Sequence, residues 1–139
     1  MANLPSLTQV KWPFGVADIQ TITQAQYVAG FLPANSAGSL GTGVAVANQL
    51  WIQNNSTIIE IGTLTVAFTL NIAIDPKLQD GAELIIRLVQ GGTGFAVTPG
   101  TGFEAATPIS PSTASKTDSV TLSLRGGVFV FTSGWVNVR

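Results

Sequence analysis

The chain has 139 residues and a formal net charge of −1, with only 9% of residues charged and neither histidine nor cysteine. The six basic residues stand singly, so there is no phosphate-tracking stripe and nucleic acid is not an expected partner. Without His or Cys, the commonest general base, the thiolate nucleophile, the usual zinc ligands and all disulfides are excluded. The length suits one domain with a substantial core, and so sparse a charge on a free monomer favours association.

The N-terminal stretch, residues 1–40, lacks a clean period of either kind. Its first residues, Met-Ala-Asn-Leu-Pro, carry no basic and apolar run of the kind a secretory signal needs, so synthesis in a cytoplasm is expected. Apolar groups (Trp12, Phe14, Tyr27, Phe31) are interspersed with Gln, Thr, Ala and two prolines, Pro13 and Pro33. Ile19–Val28 fits a short helix or a strand equally well. Residues 34–43 read as a connector of small residues. The expected division is therefore an N-terminal segment and linker, 1–40, followed by a β-domain, 41–139.

From Val44 onward, strand signals follow one another. Val44–Gln53 ends at the Asn54-Asn55 turn, and Thr57–Ile61 leads through Gly62 into Thr63–Ile74. In that stretch Leu64, Val66, Phe68, Leu70, Ile72 and Ile74 alternate with small or polar residues. This predicts one long strand with a dry face and a thin face of Thr, Ala and Asn, suited to meeting another protein. Asp75-Pro76 ends it, and an Asp80-Gly81 turn precedes Glu83–Gln90. Val120, Leu122 and Leu124 alternate in a further strand. Gly126-Gly127 makes a hairpin-type turn into Val128–Phe131, and Gly134 precedes a last strand, Trp135–Arg139. About seven strands with turns every 8–12 residues or so predict an all-β fold, an antiparallel β-sandwich or jelly roll with an extended N-terminal segment. No stretch is apolar and long enough to cross a bilayer, so no membrane partner is expected.

Gly92-Thr-Gly-Phe95 recurs as Gly100-Thr-Gly-Phe103. The glycines permit positive φ and close backbone approach, while Phe95 and Phe103 supply plugs that pin the core or, alternatively, a platform for a ligand. The rings of Trp51 and Trp135 lie within strand patterns; core or interface burial is the plainer reading, and stacking on a glycan the other. The acids Asp18, Glu60, Asp75, Asp80, Glu83, Glu104 and Asp118 are all that remains for catalysis. Asp75, Asp80 and Asp118 fall in or beside turn signals, and Glu83 shares a strand face with Arg87, so pairing explains it. Residues 75–83 match no calcium cage, with Lys77 inside them. No enzymatic activity, metal or cofactor is expected.

The alternating run T-L-T-V-A-F-T-L-N-I-A-I, the turn-strand D-G-A-E-L-I-I-R-L, the loop G-T-G-F-E, the stretch S-K-T-D-S-V-T-L-S-L and the hairpin G-G-V-F-V resemble a domain of tailed-bacteriophage virion proteins. The likeness covers about residues 63–130. It is greatest to head-fibre and capsid-decoration proteins, including those of crAss-like phages. The resemblance implies a β-sandwich or jelly-roll module that assembles as a homotrimer on the capsid, without catalytic residues. It makes 1–40 the capsid-bound or intertwined part, with Leu4, Leu7, Trp12 and Phe14 as the anchoring candidates. The partners implied are copies of itself and capsid or other virion proteins. The location implied is the virion, assembled in the host cytoplasm. A receptor- or glycan-binding fibre or tail module, using Trp51, Phe95, Phe103 or Trp135, is the alternative.

Overall fold

A computed structural model describes residues 18–30, 46–104 and 109–138. In chain order the elements are β1 (Asp18–Ile22), α1 (Gln24–Ala29), β2 (Leu50–Ile52), β3 (Ser56–Gly62), β4 (Phe68–Leu70) and β5 (Ile72–Ile74). They continue with β6 (Glu83–Val89), β7 (Val97–Pro99), β8 (Thr117–Arg125) and β9 (Val128–Val138). Strands account for 49% of the structure and helix for very little, so the fold is all-β as expected.

The sheets are mixed, which corrects the antiparallel expectation. A five-stranded sheet has the order β1-β3-β6-β8-β9, and two-stranded ribbons form from β2 with β5 and from β4 with β7. The pairs β1–β3, β3–β6, β2–β5 and β4–β7 are all parallel; only β6–β8 and β8–β9 are antiparallel. Parallel neighbours need a long crossover between them. The chain supplies one between β3 and β6, where β4 and β5 form before it returns. The turns at Asn54-Asn55 and Asp80-Gly81 therefore join strands of different sheets. Gly126-Gly127 is the true hairpin: both glycines have positive φ, 60° and 89°, as a two-residue connection of this hand requires.

The long strand expected over Thr63–Ile74 is broken. Leu64, Leu70 and Ile72 are buried, but Val66 is 55% exposed, and β4 and β5 belong to different ribbons. Buried Gln24 intervenes: its Oε1 accepts the Thr65 N–H at 2.9 Å, and its Nε2 donates to the Val66 carbonyl at 3.0 Å. A side chain thus satisfies backbone groups that a neighbouring strand would otherwise take. Beyond β4, Asn71 carries the chain from one ribbon to the other, its Oδ1 accepting from Thr101 N and its Nδ2 donating to the Asn48 carbonyl. The end of the chain departs the other way. β9 runs through Gly134 as one strand, and register shifts opposite Ser119–Leu122 absorb the irregularity.

Residues 18–30, within the segment set apart by sequence, supply the edge strand β1 and the helix α1. Strand and helix were equal readings of Ile19–Val28, and both occur in succession. The helix begins with a capping box: Thr23 Oγ1 accepts the Gln26 N–H at 3.1 Å, and Gln26 Oε1 accepts the Thr23 N–H at 2.8 Å. One core gathers Tyr27, Leu50, Ile52, Leu70, Ile72, Val97 and Phe103 against the inner face of the five-stranded sheet, which contributes Ile22, Ile59, Ile61, Leu84, Ile86, Leu88, Val120, Leu122, Leu124 and Phe129. Each fully buried Leu, Ile or Phe there contributes roughly 1.5–3 kcal/mol.

Candidate interaction surfaces

Alternation along β3, β6 and β8 gives the large sheet two unlike faces. The residues opposite the core (Ile58, Glu60, Ile85, Arg87, Val89, Ser119, Thr121 and Ser123) are all partly exposed. Short hydroxyl side chains and β-branched apolar ones dominate this outer face. Its central charges are Glu60 and Arg87, which are Cα partners on β3 and β6. Neither side chain makes an ion pair or hydrogen bond among the described residues, so the pairing of Glu83 with Arg87 expected from their shared strand face does not form.

The anchoring candidates Leu4, Leu7, Trp12 and Phe14 lie outside the described residues. The four other candidates are not brought to one place. Phe103 is in the core at 8% exposure, and its backbone bridges Phe129 of β9. Phe95 packs partly buried against the core, and Gln90 holds it in place: Gln90 Oε1 accepts the Phe95 N–H and Gln90 Nε2 donates to the Phe95 carbonyl, each at 2.9 Å. The Gly-Thr-Gly-Phe echo has a steric cause in both copies. A Cβ on Gly94 would collide with the Ser112 carbonyl, and one on Gly102, where φ is +95°, would collide with Ile72. Trp51 is partly exposed on β2, its Nε1 donating to Gln53 Oε1 at 3.1 Å. Trp135 is partly exposed on β9 and meets Phe131 edge-on, with centroids 6.4 Å apart.

Two buried polar groups organise the loops. The Tyr27 hydroxyl lies 2.8 Å from the Asn48 carbonyl and 2.9 Å from that of Thr69, sharing its proton between them, and it accepts the Asn71 N–H at 3.0 Å. It thereby ties α1 to both ribbons. Burial pushes the phenol above its ordinary pKa, while the hydrogen bonds with Asn71 pull the other way. Asp118 is fully buried within β8, not in a turn; its Oδ2 accepts from Gln90 Nε2 and from Ser112 N, both at 3.1 Å. Its Oδ1 has no partner among the described residues. Asp75 does cap its own turn, accepting from Lys77 N at 2.9 Å, whereas Asp80 reaches across to Gly126 N at 3.1 Å and ties its turn to the hairpin. Sequence reasoning missed Tyr27 and Asp118 as organisers. The Thr-x-x-Gln capping spacing at 23–26 was the available signal for the helix that places Tyr27.

Among the described residues no three acids gather as a metal site would require, and no helix is long and apolar enough to cross a membrane. No protein-family model matches the chain, and neither a curated protein nor a solved structure matches it.

Proposed function

We propose that this chain is a structural subunit of a bacteriophage virion, a capsid-decoration or head-fibre protein. In this reading it works by assembling with copies of itself and with the shell, and it turns over no substrate. The observation that carries the reading is the outer face of the five-stranded sheet: a broad surface of Ile, Val, Ser and Thr with two central charges, suited to close packing against protein. The composition of the whole chain points the same way, because 9% charged residues leave little to keep a free monomer apart from its copies. The sheet domain is the projecting, self-associating part. Leu4, Leu7, Trp12 and Phe14 contribute the contact with the shell, and their apolar side chains supply its driving force.

The test is co-sedimentation with assembled shells of the phage that encodes the chain. The purified protein pellets with shells, and a Trp12→Ala, Phe14→Ala double variant remains in the supernatant. Wild-type protein that stays in the supernatant at every shell concentration overturns the reading. A receptor- or glycan-binding module is the second reading, favoured by the partial exposure of Trp51 and Trp135; it requires a glycan that shifts tryptophan fluorescence in the isolated protein.

A further inference from the structure

We infer that the outer face of the five-stranded sheet pairs with the same face of a second copy about a two-fold axis running along the strands between β3 and β6. The inference rests on the self-assembly proposed above and names the surface that would do it. Its basis is the register of these two strands. They are parallel, and their outward residues lie in level rows: Ser56 beside Glu83, Ile58 beside Ile85, Glu60 beside Arg87, and Gly62 beside Val89.

A two-fold axis along the strands, midway between them, exchanges the two columns of each row and keeps its level. Stacked face to face at the usual spacing of about 10 Å, β3 of one copy lies over β6 of the other. Glu60 then faces the partner's Arg87 while Arg87 faces the partner's Glu60, giving two ion pairs from one symmetric contact. Ile58 meets the partner's Ile85. In the last row Val89 already covers Gly62 within its own chain, lying where a side chain on that glycine would stand, and Ser56 stands opposite the partner's Glu83. No row sets like charges against each other or an apolar side chain opposite a charge.

Two further observations agree. Glu60 and Arg87 are neighbours on adjacent strands, and yet their side chains form no pair among the described residues. The adjoining strand β8 presents only Ser119, Thr121 and Ser123 across most of its outward row, short side chains that allow the sheets to approach. Such pairing gives an even number of copies, in place of the homotrimer implied by the resemblance.

The test uses two single variants and their mixture, with sedimentation velocity as the readout and far-UV circular dichroism as the check on folding. Wild-type protein sediments as an even-numbered oligomer. Glu60→Arg and Arg87→Glu each set like charges across the axis and weaken self-association by roughly tenfold or more. Mixing the two variants restores assembly as a heterodimer, because each then supplies the charge the other lacks. Repair of strain within one chain cannot produce that rescue. An odd-numbered oligomer, self-association unaffected by either variant, or a mixture that stays dissociated overturns the inference. Co-sedimentation of the same samples with shells separates the outcomes: shell binding without two-fold pairing removes this inference and leaves the virion reading intact.

Discussion

The two faces of the five-stranded sheet alternate along the same strands and yet differ in almost everything else. Leu84, Ile86 and Leu88 are completely buried, while Ile85, Arg87 and Val89, each one residue away, are partly exposed. The inner face is closed by two ribbons and a helix, and its energetics are those of a packed core. The outer face carries enough apolar surface to associate but too little charge to be a typical solvated surface. The proposed role puts stability on one side of this sheet and interaction on the other, so substitutions should separate the two.

The largest expected effect lies inside. Ile86→Ala opens a cavity in the core and lowers unfolding free energy by about 2–5 kcal/mol, whereas Ile85→Ala lowers it by much less and acts on self-association. Chemical denaturation of dissociated samples checks both, and equal losses would abolish the distinction between faces. Asp118→Ala comes next: it strips the acceptor from Gln90 and from the Ser112 N–H, costing about 1–3 kcal/mol and loosening the loop that seats Phe95.

Tyr27→Phe leaves the Asn71 N–H and a carbonyl unsatisfied, for a similar loss of about 1–3 kcal/mol. The same residue gives a pH signature. Its phenol is raised in the folded state, so its contribution is intact below the ordinary tyrosine value of 10.0 and is lost as pH climbs through the folded value. Stability against pH, measured in wild type and Tyr27→Phe, should show the alkaline decline reduced in the variant. The smallest effect is expected at the helix start, where Thr23→Ala removes the cap for about 0.5–2 kcal/mol, read from the thermal midpoint.

Much of the sheet was legible from alternation. Thr57–Ile61, Glu83–Gln90 and the Val120–Leu124 pattern all fall on β3, β6 and β8, because a residue buried on one face only must recur every second position. Pairing was not legible, since a turn such as Asn54-Asn55 reverses the chain without naming the strand that will lie beside it. Thr63–Ile74 misled for a related reason. Its pattern is that of a strand, but Gln24, 42 residues from Val66, takes the backbone groups that would have extended it. The outer surface was anticipated in kind and not in place: a thin face meeting protein was expected on 63–74, and the broad open face belongs to β3, β6 and β8. Glu60 and Arg87 are 27 positions apart in sequence, and only the parallel register makes them neighbours.

The proposed role requires this protein to bury its outer sheet face against copies of itself. The most direct test is its native mass, measured by analytical ultracentrifugation over a dilution series. The expected result is an oligomer that dissociates only at low concentration. A folded monomer at every concentration would contradict it.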